Sequence, residues 1–210
     1  MVAYRVSKHL HALGASHRSF SHTETKDFAT EFIDQLTAAI GTGNTAQYSV
    51  VEFATRAKIT SELTTPDDAK AAVSGIDYTG GWTNTEQAIR NCTETLEDST
   101  ANAKFMLLLT DGSPTAIGEF ATGRGLNCTA EGGPVGSPCR NAAVAAATAA
   151  KAADIQIATV LVSTVSTDGD FLEKNISSPD LFFPAPNFGN LTELVDDIVE
   201  EINPCEVVKP

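Results

Sequence analysis

The sequence predicts an α/β protein in which a mostly parallel central sheet is flanked by helices on both faces. Three observations carry that reading. Two segments, "KFMLLLTDG" at 104–112 and "IQIATVLVS" at 155–163, are almost continuously apolar up to a turn, and a strand is apolar on both faces where both are covered, as in parallel sheets. Segments with an apolar residue every three or four positions lie between the strand-like runs, which is the alternation of βα units. Glycine, proline and capping residues stand where such elements have to start and stop.

The elements follow in order. Residues 25–40 place Phe28, Phe32, Leu36 and Ile40 on one helical stripe, joined by Ala29 and Ile33, and Gly41 stops it. "QYSVVEFA" reads as a strand and "AKITSELT" as a second, shorter one. Thr65-Pro66-Asp67-Asp68 starts a helix that runs to about Ser74: the threonine caps, the proline fits the first turn, and the acids suit the positive end of the helix dipole. Ala88, Ile89, Cys92 and Leu96 mark the next helix, with Thr85 as its cap. After the first apolar strand, a long loop with Cys128 and Cys139 leads to an alanine-rich helix, roughly 140–153. "FLEKNI" reads as a short helix and "LFFPAP" as a short strand whose prolines place it at a sheet edge. Asn190-x-x-Glu193 caps a last helix with the stripe Leu191, Leu194, Val195, Ile198 and Ile202.

With 210 residues, the chain suits one domain. A net charge of −13 argues against a nucleic-acid partner, because phosphate contacts need a basic face. No apolar run is long enough to span a membrane. The charge is uneven: all 27 acids lie from Glu24 onward, while the first 23 residues hold Arg5, Lys8, Arg18 and all four histidines. The histidines have no acid or cysteine nearby to complete a metal site. Four N-x-S/T sequons, at Asn91, Asn127, Asn175 and Asn190, join four cysteines and an acidic balance to point to an extracellular or cell-surface glycoprotein. The N-terminus does not read as a signal peptide, since Arg5, Lys8, His9 and His11 break its apolar positions. Cys128 and Cys139 flank "TAEGGPVGSP", and a disulfide closing that loop contributes about 2–3 kcal/mol on the chain-entropy model. Cys92 sits on an apolar helix face and reads as core or as a partner for Cys205.

In α/β sheets ligands bind beyond the carboxyl ends of the strands. The stretch "TGGWTNTEQAI", which presents Thr83 and Thr85 before a helix, and the turn holding Asp111 are expected at that edge. Asp111 follows Thr83 by 28 residues. The pieces "GGWTNTEQAI", "FMLLLTDGSPT", "IQIATVLVS" and "FLEKNISSPDLFFPAPNFGNLTELVDDIVEEINPC", in that order, resemble the von Willebrand factor type A domain, the integrin inserted-domain fold; "KDFATEFIDQL" resembles the family's first helix. The resemblance covers about residues 24–206, leaving 207–210 as a tail.

The resemblance implies a metal-ion-dependent adhesion site for Mg²⁺ or Mn²⁺, with Thr83 and Asp111 as ligands and Ser16 as the remnant of a D-x-S-x-S loop. It implies a protein or glycan ligand, one presenting a carboxylate among them, with Trp82, Thr85 and Ser113 as ligand contacts. The first loop departs from the pattern: Ala12 and Gly14 stand where an Asp and a Ser are expected. Residues 1–23 therefore read as an atypical segment, foreign to the family, that impairs the site. Cys205 resembles the cysteine that often closes extracellular members, but no cysteine precedes the first strand to pair with it. No nucleophile–base constellation is visible, so the expected activity is binding rather than catalysis. The rivals are a metal-independent structural or scaffold domain and a flavodoxin-like nucleotide or flavin binder. "ALGASHRSF" makes a poor phosphate loop for the latter.

Overall fold

The computed structural model describes residues 2–4, 15–41, 44–77, 81–118, 126–128, 137–163 and 166–202. Six strands form the main sheet in the order β3-β2-β1-β4-β7-β8. They are β1 (Val2–Tyr4), β2 (Tyr48–Phe53), β3 (Ala57–Thr64), β4 (Lys104–Thr110), β7 (Ile155–Val162) and β8 (Phe182–Ala185). All neighbours run parallel except β3, which returns antiparallel on β2. A separate hairpin pairs β5 (Ala116–Ile117) with β6 (Leu126–Asn127). The helices are α1 (Ala15–Ile40), α2 (Pro66–Ser74), α3 (Thr85–Glu97), α4 (Pro138–Ala152), α5 (Ser166–Asn175) and α6 (Val195–Glu201).

The sheet divides the core in two because strand side chains alternate faces. On one face Val50, Leu107, Leu109, Ala158 and Val160 pack with the apolar stripes of α1, α2 and α6. On the other, Val51, Met106, Leu108, Ile155 and Ile157 pack with α3, α4 and α5. β4 feeds both clusters, with Leu107 and Leu109 on one side and Met106 and Leu108 on the other, all at most 1% exposed. The expected double burial of its apolar run is what the structure shows. Phe28, Ala29, Phe32, Ile33 and Leu36 are buried as their spacing predicts, and Ile40 packs at the margin. Gly41, at φ +77°, takes the left-handed conformation that ends α1.

Several boundaries move. α1 starts at Ala15, ten residues before its apolar stripe becomes legible. β3 spans eight residues against six in β2, so it is not the shorter strand; on the sheet's edge, only Ala57 of it is buried and the rest is intermediate or exposed, which blurs its ends. α5 begins at Ser166, five residues before "FLEKNI". Asn190 does not cap α6. Two 3-10 turns, Phe188–Asn190 and Thr192–Leu194, intervene, and Asn190 Nδ2 donates to Glu193 Oε2 at 2.9 Å. The stripe survives this irregular start: Leu191, Val195, Ile198 and Ile202 are buried and Leu194 packs against them. Thr65 caps α2 as expected, accepting from the Asp68 N–H at 3.3 Å. β8 takes the expected edge position.

Cys92 is a buried free thiol in the α3 face, which corrects the alternative that it pairs with Cys205; Cys205 lies outside the described residues. Burial pushes its thiol up to about 12. The unfolded chain ionises the same thiol near 8.5, so this residue's contribution to stability is complete below that pH and falls by about 1.4 kcal/mol per unit as pH rises toward the folded value. Native protein at pH 8 is expected to leave Cys92 unlabelled by a thiol reagent, with labelling appearing only on denaturation; rapid labelling of the folded form would contradict the burial. Leu108→Ala is expected to lose about 2–5 kcal/mol in a denaturant titration, while Lys58→Ala, exposed on β3, changes stability by less than about 0.5 kcal/mol.

Candidate functional site at the carboxyl edge of the sheet

The parallel strands β1, β2, β4 and β7 all end on one edge. β4 ends at Thr110, and the next residue is the partly exposed Asp111. The Thr110 hydroxyl donates to the Gly112 carbonyl at 3.0 Å, closing the turn. The loop before α3 is sewn to the same edge at two points. On the β2 side, Trp82 N–H donates to Thr55 Oγ1 at 3.0 Å and Asn84 N–H donates to the Ala54 carbonyl at 2.8 Å. On the β4 side, Thr83 N–H donates to Thr115 Oγ1 at 2.7 Å, while the Thr83 carbonyl accepts from the N–H groups of Thr115 and Ala116 at 2.9 and 3.0 Å. Gly81 is required where the loop passes Thr55: its φ is +142°, and a Cβ there would collide with Thr55 Oγ1.

Thr83 is only 3% exposed, and both of its backbone polar groups are used in this clasp. Its hydroxyl makes no hydrogen bond with any described residue. A buried residue whose hydroxyl is left over on a fixed loop is a ready oxygen donor.

Thr85 is not the cap of α3. Asn84 is: its Oδ1 accepts from the Gln87 N–H at 3.1 Å, and its Nδ2 donates to the carbonyls of Thr55 and Gly118 at 3.2 and 2.9 Å. An asparagine has an acceptor for the helix and two donors for the flanking loops, whereas a threonine hydroxyl has a single donor and cannot serve both carbonyls. Thr85 becomes the first helical residue, fully buried, which removes it as a contact for a macromolecular ligand. Ser113 also moves inward. It is 4% exposed, and its hydroxyl donates to Asp168 Oδ1 and accepts from Arg140 Nη2 at 2.6 Å. Trp82 is half-buried beside Thr83, with part of the indole residue open to solvent.

The sequence reading missed the group behind the turn. Arg140, near the start of α4, is 4% exposed; it reaches Asp168 Oδ1 at 3.1 Å and lies 4.6 Å from the Phe171 ring centroid. Asn84 was legible, since Asn-x-x-Gln before an apolar stripe is a capping pattern. Arg140 and Asp168 were not, because nothing local distinguishes a buried pair from solvated charges. The Cys128–Cys139 disulfide is present as expected.

The expected metal donors are placed as follows. Thr83 and Asp111 stand on neighbouring loops of the carboxyl edge. Ser16 falls in the first turn of α1, and its side chain lies outside the described residues, as do residues 5–14. A hydroxyl without a partner and a carboxylate are hard oxygen donors, the type that Mg²⁺ and Mn²⁺ take. The residues present fit the second and third loops of such a site. The first loop adds no carboxylate, for no Asp or Glu occurs before Glu24, and among the described residues no three His, Cys, Asp or Glu side chains converge. Of the sequons, Asn175 is exposed at the end of α5, Asn190 is half-exposed in its 3-10 turn, Asn91 is half-buried within α3, and the side chain of Asn127 in β6 lies outside the described residues.

Comparison with known proteins agrees with this architecture. The vWF domain of the type V pili tip protein Mfa5 from Porphyromonas gingivalis superposes with a TM-score of 0.71 at 15% identity, covering 100% of this chain and 96% of that one. The pilus adhesin SpaC from Lactobacillus rhamnosus GG gives 0.67 at 17% identity, over 96% of this chain and 30% of that one. Proximal thread matrix protein 1 from the mussel byssus, in a form with a zinc-occupied MIDAS motif, gives 0.64 at 18% identity, over 94% and 46%. The chain thus spans less than half the length of these last two. No curated protein matches its sequence significantly. The family model of the von Willebrand factor type A domain matches residues 15–197, and the chain belongs to that family.

Proposed function

We propose that the chain is an extracellular ligand-binding adhesion module, not an enzyme, that engages a protein or glycan at the carboxyl edge of its sheet. The observation that supports this reading is the Thr83 hydroxyl, held on a clasped loop at the edge where Asp111 follows β4 and making no hydrogen bond with any described residue. The pilus adhesin and the byssus matrix protein, one with a metal in the corresponding motif, support it. Thr83 and Asp111, with Ser16, would hold a divalent cation, Mg²⁺ or Mn²⁺. Such an ion supplies an electrophilic centre for a carboxylate of the partner. Thr83 would contribute a neutral oxygen and Asp111 a negative charge, while Asp168, the other carboxylate near the turn, is engaged by Ser113 and Arg140. Trp82, half-open beside Thr83, offers an aromatic contact of the kind that anchors interfaces. Among the described residues no helix is long and apolar enough to cross a membrane. In an extracellular setting, Asn175 and Asn190 are the sequons that their exposure favours for glycosylation.

A second reading has its own support. The absence of any Asp or Glu among the first 23 residues favours a metal-independent structural or scaffold domain.

A thermal-melt titration with Mg²⁺, Mn²⁺ and Zn²⁺ separates the two. An ion that binds only the folded state stabilises it by about 2.7 kcal/mol at a hundredfold excess over its dissociation constant. The expected result is a rise in melting temperature for this chain that vanishes in Asp111→Ala and weakens in Thr83→Ala. Equal curves with and without ions, in chain and variants alike, would leave the metal-independent reading standing.

A further inference from the structure

We propose that Arg140, fixed by the Cys128–Cys139 disulfide, is the positioning residue of the ligand-binding edge. This rests on the proposed use of that edge but concerns how its loops are held, so it can be tested without a ligand.

Two chains of contacts meet at the disulfide. Cys128 N–H donates to the Thr115 carbonyl at 3.0 Å, and Thr115 in turn clasps Thr83 through its hydroxyl and its N–H. Cys139 is followed directly by Arg140, whose Nη2 bonds both Ser113, two residues beyond Asp111, and Asp168 at the start of α5. One covalent link therefore joins the strap that holds Thr83 to the guanidinium that holds the turn after β4. The Cα atoms of the two cysteines are 5.9 Å apart.

The arrangement is not the one that burial alone would favour. Arg140 is 4% exposed, yet its Nε has no partner. A partly satisfied buried cation is a poor source of stability compared with an apolar side chain of the same size. What the guanidinium does achieve is geometric: it bridges three segments distant in sequence, α4, the turn at Ser113 and α5, and is braced on Phe171. Cys139 is fully buried and Cys128 partly exposed, so a reductant approaches from the Cys128 side. Reduction by dithiothreitol breaks the S–S bond, adds two electrons and two protons to give two thiols, and oxidises the reagent to its cyclic disulfide.

The test uses the whole chain, with Trp82 as reporter, since it is the sole tryptophan and adjoins Thr83. Ser113→Ala uncouples the turn while leaving the Arg140–Asp168 pair in place; Arg140→Met keeps much of the side-chain volume and removes the bridge. Tryptophan emission and amide exchange at Thr83 and Gly112 are compared in the parent, both variants and the reduced parent, with β7 amides as the control. The expected result is exchange at Gly112 faster by about tenfold in both variants, a shifted Trp82 emission and faster Thr83 exchange on reduction, and β7 unchanged. Emission and exchange at Thr83 and Gly112 that match the parent in every case would overturn the proposal, as would loosening that extends equally to β7. Site-confined loosening without any cation response in the parent would uphold Arg140 as the positioning residue while removing the metal-site reading.

Discussion

The structure depends on the burial of β4 on both faces. Met106 and Leu108 enter one core cluster while Leu107 and Leu109 enter the other, so neither face can be left to water. That condition requires helices on both sides. Helical crossovers in turn allow the neighbouring strands to run parallel. Parallel strands then deliver their ends to a single edge, where the turn at Asp111 and the clasped loop at Thr83 meet. The site is placed by a packing requirement before any of its own residues contributes.

At that edge the order comes from hydrogen bonds rather than apolar contact. The loop before α3 is held by Thr55, Ala54, Thr115 and Gly118, with Asn84 serving as helix cap and as a donor to both flanks. Buried polar groups that are satisfied fix a conformation because each alternative leaves a donor or acceptor unpaired. The hydroxyls of Thr83 and Thr85 are exceptions: Thr85 Oγ1 is buried with no hydrogen-bond partner, and that of Thr83, whose backbone is saturated, makes no hydrogen bond with any described residue.

Most of the fold was legible in the sequence because its elements obey strong periods. The runs 104–110 and 155–162, the stripe from Phe28 to Ile40 and the start at Thr65-Pro66 all behave as written. Boundaries failed where the deciding force is not periodic. The polar first turns of α1 carry no apolar stripe, and the path into α6 is two tight turns rather than one capped helix. At the site, the order of motifs pointed to Thr83 and Asp111, but that order carries no sign that Asn84 rather than Thr85 caps α3 or that Ser113 is buried. Thr85 and Ser113 carry hydroxyls beside exposed loops, and sequence alone does not say whether such a hydroxyl faces out or in. Arg140 and Asp168 were invisible for the complementary reason, since charges are normally solvated and only the tertiary fold brings these two together under the turn.

The same geometry constrains how the proposed site would work. Asp111 follows β4 at this edge, Asp168 beside it is already engaged by Ser113 and Arg140, and the first 23 residues add no acid. A hard dication surrounded by neutral oxygens and one fixed carboxylate is undercompensated, so a second carboxylate arriving on a partner strengthens its retention. By reciprocity, cation and acidic partner then raise each other's affinity by the same factor. A site with fuller acidic coordination would hold its ion in advance and gain less from the partner. The poverty of acids before Glu24 therefore shifts the proposed module from standing adhesion toward adhesion that needs ion and partner together, and the rigidity supplied by the Thr83–Thr115 clasp and by Arg140 becomes more important, because weak coordination tolerates little misplacement of its donors.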